Sequence, residues 1–165
     1  MKDPRRRPQL LTADEAAALA ERVRAGGGTV VFTNGVFDLI HPGHIRYLRG
    51  ARALGHALIV GVNSDRSVRA IKGANRPVTP GLERAEVLLA FDSVDAVVIF
   101  DEDTPFSVVS TIRPDVLVKG ADWGPDIIVG RDVVEARGGR VVRMAFSPGY
   151  STSELISRVR ALRRT

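Results

Sequence analysis

Residues 29–44 read Thr29-Val30-Val31-Phe32-Thr33-Asn34-Gly35-Val36-Phe37-Asp38-Leu39-Ile40-His41-Pro42-Gly43-His44, and this stretch decides the fold. Its first five residues are an apolar, β-branched run, which is typical of a strand covered on both faces of a parallel sheet. An irregular piece with a glycine follows, and the proline is compatible with a turn or with the first position of a helix. The stretch therefore predicts a strand, a loop and a helix that runs over about 43–54.

The same order of strand and helix repeats along the rest of the chain. A capping box, Thr12-Ala13-Asp14-Glu15, predicts one helix before the first strand. Short apolar strands separated by helices predict an α/β fold, a single Rossmann-like domain with a five-stranded parallel sheet flanked by helices. The predicted strands are 29–33, 57–62, 96–100, 116–118 and 141–144, and the later helices lie near 81–91, after Pro105, near 130–137 and after Ser151.

Four segments lack helical or strand periodicity, and each follows a strand or the helical turn after it. They are 33–42, 63–80, 119–129 and 146–151. In open parallel sheets, ligands bind beyond the carboxyl ends of the strands, where the strand order reverses. The sequence therefore predicts one functional rim that these four segments form together.

Length and composition indicate one domain without a membrane or redox role. We divide the 165 residues into a basic N-terminal tail at 1–10 and a domain at 11–165. No apolar run approaches the roughly 20 residues that span a bilayer, and the N-terminus does not resemble a signal peptide, so we expect a cytoplasmic protein without membrane partners. The sequence contains no cysteine, which excludes disulfides and thiolate catalysis.

The net charge of +5 does not by itself indicate a nucleic-acid-binding protein. Residues 1–7 carry a net charge of +3, and four arginines near the C-terminus, at positions 158, 160, 163 and 164, carry +4, which leaves −2 for the rest. Solvated ends explain such charge runs, and no alternation of aromatic and basic residues accompanies them. We therefore expect no nucleic-acid partner.

His41 and His44 flank the predicted start of a helix. Backbone N–H groups, the positive end of the helix dipole and two imidazoles would then face the same anion, which favours a phosphate site. A zinc site is the competing hypothesis, but the chain has only one further histidine, His56, and no cysteine. His56 lies in a helix-to-strand turn, and we assign it no role.

A second helix start lies near the C-terminus. The hydroxyls of Ser151-Thr152-Ser153 precede an apolar helix, so they and the free backbone N–H groups suit the β- and γ-phosphates of a nucleotide. A plain N-cap is the alternative, and both roles are compatible.

The chain resembles the cytidylyltransferase-like nucleotidyltransferases, whose signature is a His-x-Gly-His loop after the first strand. Within that family it is similar to the heptose 1-phosphate adenylyltransferase branch over roughly residues 10–160. The motifs that carry the resemblance are 33–38, Val62-Asn63-Ser64-Asp65, Lys72-Gly73-Ala74-Asn75-Arg76-Pro77-Val78, Phe100-Asp101-Glu102-Asp103-Thr104-Pro105, 113–120 and Ser151-Thr152-Ser153.

The resemblance implies a reaction and its substrates. It implies that residues 11–165 form a nucleotidyltransferase domain that transfers AMP from ATP to a heptose 1-phosphate, giving ADP-heptose and pyrophosphate. It also implies Mg²⁺ held mainly by the triphosphate, and a homodimer. The alternatives are CMP transfer to glycerol 3-phosphate or a related alcohol phosphate, and a nucleotide sensor that binds without turnover.

The resemblance also implies roles for individual residues. We expect catalytic roles for His41, His44, Lys72 and Thr152. The expected nucleotide-binding residues are Thr33, Asn34, Gly35, Phe37, His41, Gly43, His44, Asn63, Arg76, Lys119, Gly120, Asp122, Ser151, Thr152 and Ser153. The expected substrate residues are Asp38, Lys72, Arg84 and Trp123.

Physical chemistry leaves alternatives open at some of these positions. Arg84 near a helix start suits an anionic ligand, but a salt bridge to a carboxylate is nearly as good an explanation. Asp38 and Asp122 suit sugar or ribose hydroxyls better than a metal ion. Trp123 is compatible with stacking on a base or sugar and equally with packing.

Overall fold

The computed structural model describes residues 8–121, 124, 127–145 and 147–162. The strands are β1 (Gln9–Leu10), β2 (Val30–Gly35), β3 (Ala57–Asn63), β4 (Ala96–Phe100), β5 (Val116–Gly120) and β6 (Arg140–Met144). The helices are α1 (Ala13–Ala25), α2 (Pro42–Arg52), α3 (Asp65–Lys72), α4 (Gly81–Leu89), α5 (Phe106–Ile112), α6 (Arg131–Glu135) and α7 (Thr152–Leu162). The alternation confirms the predicted α/β fold.

The strands form one parallel sheet in the order β1-β4-β3-β2-β5-β6. The chain builds outward from β2 in one direction through β3 and β4, and then returns to the other side of β2 with β5 and β6. The strand order therefore reverses between β2 and β5, which is where an open α/β sheet binds its ligands.

The sheet has six strands, whereas the sequence predicted five. The additional strand, Gln9–Leu10, pairs with β4 at the edge of the sheet. It lies inside the segment 1–10 that we assigned to the tail. A strand of two residues is too short to show the alternation by which a strand is recognised, so no local signal in the sequence predicts it.

Side chains alternate between the two faces of the central strand. Val30 and Phe32 point into a core cluster with residues of α1, α5 and α6, while Val31 lies in a second cluster with residues of α2 and α4. Strands β2 and β3 are apolar on both faces because helices cover both faces. This two-sided core fixes the carboxyl ends of the strands and the loops that leave them.

Helix α3 lies inside the segment 63–80, which the sequence analysis treated as irregular. Ser64 caps the helix, since its Oγ accepts a hydrogen bond from Ser67 N at 3.1 Å, and the helix ends at Gly73, which has a φ of 99°. Only Ser67 and Val68 are buried in it. The helix has only eight residues, fewer than the length over which helical periodicity is normally recognised, which explains why the pattern did not predict it.

Helix α7 differs from the other helices because none of its residues is buried. In the part of the chain that the structure describes, no helix is long and apolar enough to cross a bilayer.

Candidate active site

A cavity of about 520 Å³ opens at the carboxyl ends of the central strands. It contains residues of three of the four segments that the rim prediction placed there, and Thr152 and Ser153, which directly follow the fourth segment. Its walls are Asn34, Gly35, Val36, Phe37, Asp38, His44, Tyr47, Asn63, Ile71, Lys72, Arg76, Asp103, Thr104, Pro105, Lys119, Gly120, Ile127, Ile128, Val129, Thr152 and Ser153. The N-termini of α2 and α7 therefore face one space, although 108 residues separate His44 from Thr152 in the sequence.

The cavity brings together most of the residues that the sequence singled out. Twelve of them line it: Asn34, Gly35, Phe37, Asp38, His44, Asn63, Lys72, Arg76, Lys119, Gly120, Thr152 and Ser153. Five others do not: Thr33, His41, Gly43, Arg84 and Ser151. Asp122 and Trp123 lie outside the described residues.

The two histidine rings stack on each other at the start of α2. Their centroids are 3.8 Å apart, with an angle of 23° between the planes. His44 Nδ1 accepts a hydrogen bond from the backbone N–H of His41 at 3.4 Å. A neutral ring whose Nδ1 accepts must carry its proton on Nε2, so His44 has an N–H to offer to an anion in the cavity.

Both imidazoles are neutral at physiological pH. Burial, followed by the positive charge that His41 would carry, lowers the pKa of His44 to about 4. Burial also lowers the pKa of His41 below its usual value. The rings are thus hydrogen-bond donors rather than fixed cations until a phosphate binds and favours the protonated form.

Lys119 supplies a cation at the end of β5. Its side chain is buried, and its Nζ donates a hydrogen bond to Oδ1 of Asn34 at the end of β2. Burial lowers the pKa of Lys119 to about 8, so the ammonium group is still largely charged at neutral pH.

Asp38 holds the loop after α3 through hydrogen bonds to three residues of that loop. Its carboxylate accepts hydrogen bonds from Arg76 Nε at 2.7 Å, from Val78 N at 2.9 Å and from Thr79 N at 2.8 Å. Burial would raise the pKa of Asp38, but these hydrogen bonds outweigh burial and keep its pKa below the usual value. Asp38 also lines the cavity, and its expected contact with a substrate hydroxyl stays a prediction.

Arg84 is also a structural residue. It is 1% exposed, and its guanidinium donates to Thr79 O at 2.9 Å, to Val36 O at 2.7 Å and to Asp65 Oδ1 at 2.8 Å. The structure thus contains the salt bridge to a carboxylate that was the alternative, and Arg84 does not line the cavity. The sequence could not decide between them because the partner, Asp65, belongs to the helix that the pattern did not reveal.

Thr33 and Gly43 lie away from the cavity as well. The Thr33 hydroxyl is buried between Tyr47 Oη at 2.9 Å and Val118 O at 3.0 Å, so it joins α2 to the sheet. We expected Gly43 to leave room for a phosphate, but the ring of His41 and the side chain of Tyr150 fill that room. These contacts place both residues beside the cavity rather than in its wall, and their expected roles in nucleotide binding stay predictions.

The hydroxyls of Ser151 and Thr152 at the start of α7 have different partners. Ser151 Oγ accepts a hydrogen bond from Glu154 N at 3.0 Å, which is an N-cap contact. Thr152 Oγ1 donates to Leu39 O at 3.3 Å, and Thr152 and Ser153 both line the cavity. The N-cap and phosphate-site hypotheses thus apply to neighbouring residues.

Sequence reasoning assigned no role to several cavity residues. Asp103, Thr104 and Pro105 lie in the loop after β4, and Ile127, Ile128 and Val129 lie beyond β5. The loop after β4 is held by Ser67 Oγ, which donates to Glu102 O at 3.0 Å. Its position directly after a parallel strand was the signal that could have revealed it.

A metal site made only of protein ligands does not occur in the described part of the chain. No group of three or more His, Cys, Asp or Glu side chains there has the arrangement to hold a metal ion.

Comparisons with known proteins agree with this site. The family model "Cytidylyltransferase-like" matches residues 32–158. The bifunctional protein HldE of Geotalea uraniireducens is 51% identical over 147 residues, which are 89% of this chain and 30% of that protein. HldE of Acidiphilium cryptum is 52% identical over 153 residues, 93% of this chain and 32% of that protein. The chain thus spans about a third of the length of the curated relatives that it matches.

The chain is also similar in fold to a solved structure. The crystal structure of the lipopolysaccharide core biosynthesis protein from Thermoplasma volcanium has a TM-score of 0.60 at 28% identity and covers 73% of this chain and 98% of that one. The family model contains both helix starts that line the cavity. The chain belongs to the cytidylyltransferase-like family.

Proposed function

We propose that this chain transfers AMP from ATP to a heptose 1-phosphate and releases ADP-heptose and pyrophosphate. The observation that carries the proposal is that one cavity gathers several donors and cations. They are His44, Lys72, Arg76, Lys119 and the N-terminus of α7. Such a set of donors and cations suits a ligand with several phosphates, because each element compensates negative charge.

The triphosphate lies between the two helix starts. The Nε2–H of His44 and the hydroxyls of Thr152 and Ser153 donate to phosphate oxygens, and two helix dipoles add to the attraction. His41 is a catalytic residue in this proposal because one phosphate of the ligand contacts its ring. Ser151 contributes its backbone and not its hydroxyl, which already accepts a hydrogen bond from Glu154 N. Asn34, Gly35, Phe37, Asn63, Lys119 and Gly120 form the rest of the nucleotide pocket.

The sugar phosphate enters from the side of α3. Lys72 ends that helix and Arg76 follows it, so two cations stand at the same wall of the cavity. Arg76 is oriented by Asp38 through one nitrogen, and its guanidinium has further N–H groups for an anion. We assign Lys72 to the phosphate of the substrate or to the α-phosphate of ATP.

The chemistry needs placement and charge compensation. An oxygen of the sugar phosphate attacks the α-phosphorus, and the bond from that phosphorus to the oxygen that bridges the α- and β-phosphates breaks, so pyrophosphate leaves with the electron pair. The attacking phosphate is already ionised, and no general base is needed. His44 and Lys119 stabilise the charge that grows on the phosphate oxygens in the transition state.

Mg²⁺ enters as part of the substrate MgATP in this proposal. The described residues provide no cage of carboxylates, and Asp38 already has three hydrogen-bond donors. A cation coordinated mainly by triphosphate oxygens fits this donor set, since Mg²⁺ is commonly bound through substrate phosphates.

The comparisons support the choice of heptose. The HldE relatives are named bifunctional, and this chain corresponds to less than a third of each, which fits one catalytic unit of two. The solved relative is named for the biosynthesis of lipopolysaccharide core. Both names fit the heptose 1-phosphate adenylyltransferase branch that the motifs resemble.

Pyrophosphate release tests the proposal. Purified protein is mixed with heptose 1-phosphate and MgATP, MgCTP, MgGTP or MgUTP, and in a parallel arm with glycerol 3-phosphate and the same nucleotides. We expect turnover with heptose 1-phosphate and ATP above all other pairs. Folded protein without turnover on that pair would reject the proposal, and turnover of CTP with glycerol 3-phosphate would replace it.

The resemblance also implies a homodimer, which we include as a proposal. Sedimentation equilibrium over a range of concentrations tests it directly, because a monomer has a mass of 17.8 kDa. A mass near that value at every concentration would reject the dimer without affecting the proposed reaction.

A further inference from the structure

Tyr150 contacts the histidine pair from outside the cavity. Its ring lies 5.9 Å from the ring of His41, centroid to centroid, with 22° between the planes, and His41 in turn stacks on His44. Arg46 covers Tyr150, with Cζ 5.2 Å from the centroid of that ring. We call Tyr150, His41 and His44 the aromatic stack, and Arg46 adds a cation–π contact to it.

The stack packs on bare backbone at Gly43. A Cβ atom at this position would lie 2.9 Å from His41 Nδ1, closer than real Cβ atoms come to other atoms, and 3.0 Å from Tyr150 Cβ, which is tighter than most real Cβ contacts. His41 and Tyr150 therefore share one surface that only a residue without a side chain provides.

No hydrogen bond fixes the ring of His41 through Nδ1. The residue is 9% exposed, and its Nδ1 atom is buried without a hydrogen-bond partner among the described residues. A cavity of about 140 Å³ beside it is lined by His41, Gly149, Tyr150 and Ser151 among others. Because Nδ1 does not anchor the ring, its stacking contacts with His44 and Tyr150 contribute to its orientation.

Tyr150 also stands at the junction of two segments that make the cavity. It directly precedes the N-terminus of α7, where Thr152 Oγ1 donates to Leu39 O, two residues before His41. The loop after β2 and the start of α7 are thus joined twice, once by this hydrogen bond and once by the ring contact between Tyr150 and His41.

We infer that Tyr150 is a positioning residue for the reaction proposed above. Its ring holds the imidazole of His41 in the aromatic stack and keeps the stack aligned with the N-terminus of α7. Its aromatic ring carries this role, whereas its hydroxyl does not. Small errors in the placement of a donor at a reacting phosphate reduce the rate strongly, so loss of the ring affects kcat more than binding of the sugar phosphate.

Two pairs of variants test the inference on the full chain. Tyr150→Phe keeps the ring and Tyr150→Leu removes it; Arg46→Gln removes the cation over Tyr150, and Arg49→Gln removes the same charge from the exposed side of the same helix. For each variant kcat and KM for both substrates are measured. The nuclear Overhauser contact between the ring protons of His41 and His44 is measured in parallel, which needs no turnover.

We expect Tyr150→Phe to stay within about threefold of the wild type and Tyr150→Leu to lose at least about tenfold in kcat, with KM for the sugar phosphate nearly unchanged. The contact between the two imidazole rings should persist in Tyr150→Phe and weaken in Tyr150→Leu. Arg46→Gln should lower kcat more than Arg49→Gln.

A Tyr150→Leu protein that keeps both kcat and the ring contact would overturn the inference, as would a Tyr150→Phe protein that loses as much kcat as Tyr150→Leu. If the wild type itself shows no turnover, the proposed function fails, and the ring contact still decides the role of Tyr150.

Discussion

Lys119 Nζ donates a hydrogen bond to Asn34 Oδ1, and this contact joins the carboxyl ends of two neighbouring strands at the point where the strand order reverses. Thr33 and Val118, one residue earlier in each strand, are register partners, so the backbone places the amide and the ammonium side by side. The charge of Lys119 is therefore held at a fixed place in the cavity before any ligand binds.

The charge of Lys119 should make nucleotide binding sensitive to alkaline pH. Because burial lowers its pKa to about 8, the ammonium is charged below that pH and loses its proton as the pH rises through it. We expect the affinity for ATP, measured by calorimetry, to fall through this window. Lys119→Arg should lack that fall because a guanidinium stays charged, and Lys119→Met should bind ATP about tenfold or more weakly at pH 7. A wild-type affinity that is constant from pH 7 to pH 9 would contradict this assignment.

His44 should act as a donor through Nε2. The amide nitrogen of glutamine can lie near the position of Nε2, whereas that of asparagine lies nearer to Nδ1. We therefore expect His44→Asn to lower kcat by about 100-fold or more, the usual loss for one donor to a transition state, and His44→Gln to retain more activity. Steady-state rates of pyrophosphate release measure both. Equal losses in the two variants would argue against a donor at Nε2.

The neutral state of His44 should also appear in the pH dependence of stability. Its pKa is about 4 in the folded protein and 6.5 in a model compound, so the unfolded chain takes up the proton first as the pH falls. Folding stability from this residue is complete above pH 6.5 and is lost as the pH falls toward 4, by at most roughly 3 kcal/mol. NMR titration of the three imidazoles gives the midpoint, and urea unfolding of the wild type and His44→Gln gives the difference. A titration midpoint of His44 near pH 6.5 would refute the predicted loss of stability from this residue.

Asp38 should be needed for the loop that carries Arg76. Its side chain is buried, and Asp38→Asn leaves Arg76 without its carboxylate partner. We expect the free energy of unfolding to fall by about 3 kcal/mol and KM for the sugar phosphate to rise. The double variant Asp38→Asn with Arg76→Met should be less destabilised than the sum of the two single changes. Additive effects would show that the two residues are not coupled.

Gly43 should not tolerate a side chain. Gly43→Ala places Cβ within about 3 Å of His41 and Tyr150, so we expect a loss of about 1–3 kcal/mol in stability together with reduced kcat. Gly26→Ala is a matched control, since the nearest atom to its Cβ would be 3.5 Å away, an ordinary contact. Thermal unfolding of both variants measures the difference, and equal melting temperatures would exclude the predicted clash.

The strands and most helices could be predicted because their signals are local. Buried runs such as 57–62 are apolar throughout, and the capping box at Thr12 and Glu15 is seen in the structure as predicted. Helix α3 and strand β1 escaped prediction for the opposite reason. One buries two residues and the other contains two, so their existence depends on contacts with distant segments.

The cavity was predicted at the correct edge, but the task of each polar residue was not. Arg76, which lines the cavity, and Arg84, which is enclosed by the protein, carry the same charge and lie only eight positions apart in the sequence. Only the partners distinguish them, and these partners lie elsewhere in the sequence. The same limit applied to His41 and His44, which look equivalent in the motif but face different cavities.

Helix α7 brings Thr152 and Ser153 to the cavity although none of its residues is buried. A segment with so little apolar burial detaches at a low cost in free energy, so its amide hydrogens should exchange quickly with solvent in the absence of a ligand. A nucleotide that contacts both helix starts adds its binding energy to the docking of this segment. If the proposed function holds, nucleotide binding would therefore fix the first turn of α7 at the cavity and slow this exchange.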